Sequence, residues 1–452
     1  MSSRSSEGPS RRGLAGARQK AAPSLVPFPR LFAVLGYIVA TFVLAYFLID
    51  VAAYGSLVVY SRYELRKHGL EGHCRGRPGG SCGNRIVFDL ASSSDIYKRY
   101  PWADEFWKQE LARRKAARPY HPFRMWQNAF WQSPLIHVDQ TPWGNFRRTV
   151  SARQDCAGAP FEVWLFGGSS AFGYGVPDFA TVASYLEQEL SRRGRCAVVR
   201  NFGSEAYVSN QEVLLLTELL KSGQRPEAVV FLDGFNDSYC LWNAQRPDNS
   251  NCRVLAEVSV LGDASGLAHW ILPGKVSEAL QTFPPYFSSG RPLVHGALGR
   301  EGAIIAVQMT PEEVRRGAAA ILNNYERNTH LVQRMASVYG FRAFFFWQPS
   351  LYRTAKKLDW HERAALQLFS QGADSYALPY VRASYQLAEE RGQDGNFVYL
   401  GNLFDGLAEP VFADTMHLGP EGDRLVALSI AKYMQNSAQT ACCSPMPPRA
   451  GD

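Results

Sequence analysis

None of the eight cysteines (Cys74, Cys82, Cys156, Cys196, Cys240, Cys252, Cys442 and Cys443) stands in a Cys-x-x-Cys pair, and their spacings match no zinc site. The nine histidines show no metal-ligand spacing either. No internal repeat is found. Charge of one sign is also scarce once the N-terminus is set aside. Arg4, Arg11, Arg12, Arg18, Lys20 and Arg30 face only Glu7 there, leaving about +2 of the formal net charge of +7 for everything after residue 30. A nucleic-acid-binding surface is therefore not expected.

What is present begins with one long uncharged run, Leu31 to Ile49, closed by Asp50. About twenty apolar residues match the hydrocarbon thickness of a bilayer, and no small-x-small exit follows as a cleaved signal peptide would need. The run predicts an uncleaved transmembrane signal anchor, with the basic residues as its flank. Basic residues on both sides leave orientation barely decided by charge. Close pairs such as Cys74/Cys82 and Cys240/Cys252 suit disulfides in an oxidising compartment, which favours placing the bulk of the chain in the periplasm or outside the cell; free buried thiols are the alternative.

The organisation expected is a basic disordered tail over 1–30 and the anchor with a juxtamembrane helix over 31–60. An irregular, aromatic-rich extension follows over 61–155, with a helical stretch near 103–117. An α/β domain over 156–438 comes next, and a flexible tail over 439–452. Within the α/β domain, short apolar runs (161–168, 196–203, 228–234, 341–349, 396–401) alternate with amphipathic stretches (181–193, 210–222, 311–340, 421–435). That alternation predicts a parallel sheet covered by helices on both faces. Residues 353–392 read as a helical insert. Residues 241–309 read as an insertion whose Trp270, Phe283 and Tyr286 suit either a lid or a sugar surface. His121 and His137 in the extension read as structural.

Ligands and reactions on open α/β sheets gather outside the carboxyl ends of the strands. The first such loop, Gly167-Gly168-Ser169-Ser170, is no P-loop, because Tyr174 stands where the lysine is required. It is no dinucleotide loop, for want of a third glycine, and no Gly-x-Ser-x-Gly elbow, because Ala171 takes the last position. No cofactor is expected. Near the other end of the chain Asp414 and His417 lie three apart, just ahead of Pro420. That spacing lets the carboxylate hold one imidazole nitrogen while the other takes a proton from a serine hydroxyl.

With these blocks in order, the chain resembles the SGNH/GDSL hydrolase superfamily over roughly 160–435. The matching residues are Gly167-Gly168-Ser169 (usually Gly-Asp-Ser), Gly203, Gly234-Phe235-Asn236-Asp237, and Asp414 with His417. The resemblance implies a three-layer α/β/α fold, Ser169 as nucleophile, His417 as base and Asp414 as its orienter. It further implies an oxyanion hole from Ser169, Gly203 and Asn236. Ser170 is the competing nucleophile. Asp233 and Asp237 read as loop-orienting carboxylates, and Gln348-Pro349 as a turn at the same end. A pair between Cys156 and Cys196 is expected at the bottom of the sheet. The function expected is a serine esterase or O-acyltransferase acting on O-acetyl groups of envelope or exported carbohydrate. The alternatives are a lipase, lysophospholipase or thioesterase, and a non-catalytic scaffold of an envelope assembly. The partners expected are a carbohydrate or lipid acyl ester and the membrane.

Overall fold

The computed structural model describes residues 33–42, 44–45, 94–116, 118–121, 123–150, 158–244, 310–370 and 377–441. Contacts divide the chain into two units, Met1–Gly55 and Ser56–Asp452. In the first, residues 33–42 and 44–45 are helical and exposed. No helix among the described residues is long and apolar enough to cross a membrane. The remaining positions of the expected span lie outside the described residues, as do the tail 1–30, most of the 241–309 insertion and the pairs Cys74/Cys82 and Cys240/Cys252. Cys196 is disulfide-bonded; its expected partner, Cys156, lies outside them too.

The second unit opens on helices α1 (Asp95–Lys98) and α2 (Ala103–Arg113). A hairpin of β1 (Tyr120–His121) and β2 (Met125–Trp126) follows. Strands β3 (Trp131–Gln132), β4 (His137–Thr141) and β5 (Gly144–Arg147) then form a three-stranded antiparallel sheet. This corrects the expectation of irregular structure before residue 150. Strands of two to five residues are too short to display a period of two, and the turn between β4 and β5 contains no Asn-Gly or Asp-Gly signal. The Thr141 hydroxyl holds that turn instead, donating to the Gly144 carbonyl at 2.8 Å and accepting from the Trp143 N–H at 3.3 Å.

From β6 (Phe161–Gly167) the strand–helix alternation takes over. The elements are α3 (Ser169–Phe172), α4 (Val182–Arg192), β7 (Ala197–Asn201), α5 (Ser209–Lys221), β8 (Ala228–Asp233), α6 (Phe235–Ala244), α7 (Pro311–Tyr339), β9 (Arg342–Trp347), α8 (Trp360–Ser370), α9 (Leu378–Arg391), β10 (Gln393–Asp394), β11 (Phe397–Tyr399) and α10 (Pro420–Ala441). The sheet order is β10-β11-β9-β8-β6-β7, parallel except for the two-residue edge strand β10.

Side-chain alternation divides the core in two. Val163, Leu165, Val230, Leu232, Phe344 and Phe346 point to the face covered by α4 and α10. Trp164, Phe166, Phe231, Phe345 and Trp347 point to the face covered by α5, α7 and α9. The fold is thus the expected α/β arrangement with helices on both faces. α7 begins where the sequence says it should: the Thr310 hydroxyl accepts from Glu313 N–H, the Glu313 carboxylate accepts from Thr310 N–H, and Pro311 fills the first turn. It ends at Gly340 with φ 76°.

The segment before residue 150 is fastened to the loops of the α/β domain by buried arginines. Arg147 donates to Asp178 at 2.5 Å, to the Val176 carbonyl at 2.8 Å and to the Gly173 carbonyl at 3.3 Å. His137 Nδ1 lies 2.6 Å from the same Asp178, so this histidine is structural, as expected. Arg113 pairs with Glu110 and with Glu205. Leaving a buried charge without its partner costs about 3–5 kcal/mol. Arg147→Ala, which leaves Asp178 with His137 alone and takes the donor from two carbonyls, is therefore expected to lower the unfolding free energy by an amount toward the lower end of that range, about 3 kcal/mol, read from urea denaturation. A loss below about 1 kcal/mol would mean that the pair is surface-like.

Candidate active site

The chain runs from β6 out to the edge strand β7, then crosses back over β6 to β8. The carboxyl end of β6 is therefore the switch point of the sheet. Gly167 leaves the strand with φ 151° and a Cβ there would meet the Leu232 carbonyl at 2.5 Å, so a glycine is required. The next residues wind at once into α3, with Ser169 as its first residue. A helix start leaves its first N–H groups without intrahelical acceptors, so the Ser169 amide is available to a ligand.

Ser169 Oγ lies 2.6 Å from His417 Nε2, and His417 Nδ1 lies 2.6 Å from Asp414 Oδ2. The other Asp414 oxygen accepts the N–H groups of Met416 at 2.9 Å and His417 at 2.8 Å. Burial raises the Asp414 pKa, but the His417 charge and these donors outweigh it and hold the carboxyl below its usual range. An ionised Asp414 fixes the proton on Nδ1 and leaves Nε2 to accept from the serine. Asp414 and His417 are buried, while Ser169 is half-buried.

The loop that carries His417 is gripped from three sides. Ala413 N–H donates to the His417 carbonyl at 2.8 Å, which closes the turn. From α8, Glu362 accepts the N–H groups of Val411 and Phe412, with its other oxygen on the buried Lys356 ammonium at 2.8 Å. His361 Nε2, in the same helix, donates to the Ala413 carbonyl at 2.8 Å. After β9, Leu351 N–H and Ser350 Oγ donate to the Thr415 carbonyl.

Ser170 belongs to this scaffolding. Its hydroxyl donates to the Met416 carbonyl at 3.3 Å and accepts from Gln348 Nε2 at 3.0 Å. Gln348 therefore ties the nucleophile helix to the His417 loop.

The three expected oxyanion donors converge unequally. Asn236 Nδ2 lies against Gly168, where a Cβ would overlap it, and donates to the Tyr207 carbonyl at 2.8 Å. The amide of Asn236 thus occupies the space in which the aspartate of a Gly-Asp-Ser block would begin, so the glycine at 168 has a steric reason. Gly203 packs directly on the backbone of Ala171 and Phe172. Its N–H, however, is already engaged by Asn201 Oδ1 at 2.9 Å, so in this state it is no open donor. Asn201 also donates to the Ala171 carbonyl at 2.9 Å, a role for which the sequence carried no signal. Ala206, in the same loop, is held at φ 66°, a strained conformation for alanine.

Behind Asn236 lies a carboxyl cluster. Glu212 is pushed well above the usual carboxylate range by burial and then by the Asp233 charge, and Asp233 by burial and then by the Asp237 charge. Burial raises Asp237 to about 6, partly offset by the Ser209 hydroxyl at 2.5 Å and the Ser209 N–H at 3.2 Å. Asp237 thereby caps α5 and fastens the Asn236 turn to it, the orienting role expected. Asp233 passes its backbone carbonyl to Gln348 N–H at 2.7 Å. Tyr174 packs on His417, a contact for which nothing in the sequence was a signal. Among the described residues, no group of three or more His, Cys, Asp or Glu side chains is arranged to hold a metal ion.

No family model and no curated protein matches this chain. Among solved structures, the chain is similar to an acetyl xylan esterase, AlAXEase, at 13% identity over 61% of this chain and 98% of that one, with a TM-score of 0.31. It is similar to Est24, a carbohydrate acetylesterase from Sinorhizobium meliloti, at 13% identity over 61% and 99%, with a TM-score of 0.30. A member of the lipolytic G-D-S-L family from Veillonella parvula matches at 11% identity over 61% and 98%, with a TM-score of 0.29. Likenesses of this size carry no weight for chemistry, which stands on the distances above.

The folded chain holds the Asp237 proton to about pH 6, whereas the ordinary value is 3.8. A raised folded value means that stability is fullest below the unfolded pKa and is lost as pH rises through the folded one. Asp237→Asn is expected to flatten the fall in unfolding free energy between about pH 4 and 6, measured by urea denaturation. A slope identical to wild type would show that Asp237 titrates alike in both states.

Proposed function

We propose that the chain is an SGNH-type serine hydrolase that cleaves acyl esters through an acyl-enzyme at Ser169. The observation that carries this reading is the continuous line from Ser169 Oγ to His417 Nε2 and from His417 Nδ1 to Asp414, 2.6 Å at each step. Distances of this kind suit proton transfer during attack. Ser169 Oγ forms the bond to the acyl carbon as its proton passes to Nε2. The oxyanion is met by the Ser169 N–H and the Asn236 amide. The Gly203 N–H joins them once Asn201 lets it go. Collapse expels the alcohol, which takes the proton back from His417. Water, or an acceptor hydroxyl in a transferase, then repeats the sequence on the acyl-enzyme.

The preferred substrate is an O-acetyl group on a carbohydrate of the envelope or of an exported glycan, in keeping with the four sequence blocks. The uncharged run Leu31–Ile49 supports an anchor, and the close cysteine pairs support a domain outside the cytoplasm. The hydroxyl engaged by His417 supports Ser169 over Ser170, whose own hydroxyl is held between Gln348 and Met416.

A fluorophosphonate probe is expected to label the wild type and Ser170→Ala but not Ser169→Ala, read by intact-protein mass. Asp414→Asn, which destroys the tautomer preference, is expected to lower acetyl-ester turnover by about 10³–10⁴-fold. An unlabelled but folded wild type rejects the serine-nucleophile reading.

Gly168→Ala would drive its new methyl into Asn236 Nδ2. It is expected to lower kcat by about 10²-fold, the worth of one oxyanion donor. Unchanged kcat would remove Asn236 from the hole.

A further inference from the structure

We infer that Tyr174, braced by Arg114, is the positioning residue that holds His417 in line with Ser169. This rests on the serine-hydrolase reading of the same site. The Tyr174 and His417 rings have centroids 4.2 Å apart with planes inclined at 48°, a close tilted contact. Tyr174 is buried, and it sits on the left-handed turn between Gly173 (φ 88°) and Gly175 (φ 92°) that follows the nucleophile helix. Those two glycines give the chain the sharp path that brings residue 174 back over the imidazole.

Two groups of the small α/β extension fix the phenol in turn. The Arg114 guanidinium carbon lies 4.6 Å from the Tyr174 centroid, and Arg114 Nη1 donates to the phenol oxygen at 3.1 Å. Arg147 holds the backbone on either side, through the carbonyls of Gly173 and Val176. Glu110 lies 3.9 Å from the Arg114 guanidinium and holds it in turn. The charged and titratable groups near the pair include Asp414 on the side of His417, and Arg114, Arg113, Glu110 and Tyr97 around Tyr174.

Asp414 holds the imidazole at one atom, a bond about which the ring could still swing. A second contact, with the ring of Tyr174, removes that freedom. The ring also covers His417 from water, which slows exchange of the Nδ1 proton. The Tyr174 hydroxyl bonds to Arg114 and the Ser169 hydroxyl to His417, so the effect of Tyr174 is expected on the transition-state alignment of Nε2 and not on substrate affinity.

Three variants separate these roles. Tyr174→Ala removes the ring and is expected to lower kcat on a small acetyl ester by roughly tenfold to a hundredfold with KM unchanged, the scale of a misplaced catalytic group. Tyr174→Phe keeps the ring and loses only the Arg114 bond, so it is expected to stay within about threefold of wild type. Arg114→Ala is expected to fall between them. A readout independent of turnover is the downfield proton resonance of His417 Nδ1–H: present in wild type and Tyr174→Phe, broadened by solvent exchange in Tyr174→Ala. Equal resonances in wild type and Tyr174→Ala, or a loss in KM alone, would overturn the proposal. Equal activity losses in Phe and Ala variants that track their unfolding midpoints would do the same. If the wild type resists the fluorophosphonate yet the resonance broadens in Tyr174→Ala, the hydrolase reading fails and the positioning contact stands.

Discussion

A carboxylate in a protein interior must find a donor for every lone pair that water would have served, and Asp414 meets that demand within three residues of itself. One oxygen takes two backbone N–H groups, and the other takes the imidazole of His417. This arrangement does two things at once. It closes the loop into a tight turn, and it selects the imidazole tautomer that can accept from Ser169. The rest of the site holds that turn still. Glu362 from α8 takes two backbone N–H groups of residues 411–416, while His361, the Ser350–Leu351 segment after β9, and Ser170 with Gln348 each take one carbonyl there.

The same economy governs the nucleophile side. α3 is a single turn and could not define its own position, since so short a helix has no independent stability. Asn201 ties it to the end of β7, and close packing of Gly203 forbids any displacement toward that strand. On its outer side the Phe172 ring is covered by the guanidinium groups of Arg113 and Arg147, at 4.8 and 5.1 Å. Asn128 reaches the second loop as well, donating to the Gly203 carbonyl at 3.2 Å and accepting from Glu205 N–H at 3.2 Å. The segment before residue 150 is thus structural support for the site.

Much of this was legible in the chain. The strands of the large sheet are continuous apolar runs because both faces are buried, and the strand–helix alternation follows from the same cause. Ser169, Asn236, Asp414 and His417 stood out because their neighbours are glycines or a carboxylate at meaningful spacing. The amphipathic stretch 311–340 matched α7, Pro311–Tyr339, within a residue at each end. Three things were not legible. The short strands β1 to β5 carry too few residues for a period to show. The arginines at 113 and 147 look like surface residues in sequence, since only their distant partners make them interior. The bond between Asn201 and Gly203 depends on a rotamer, which no local pattern encodes.

The partners joined here are widely separated along the chain, and biosynthesis meets them in one order. Arg147 is made before Asp178, and Arg113, beside Glu110, before Glu205, so the extension leaves the ribosome with ion pairs that only later segments complete. Ser169 precedes His417 by 248 residues, with the whole of β7 to β11 between them. A nascent chain can therefore hold a finished nucleophile turn and still lack its base. The line from serine to carboxylate closes only when the last strand has docked, which makes competence at this site a property of the completed chain.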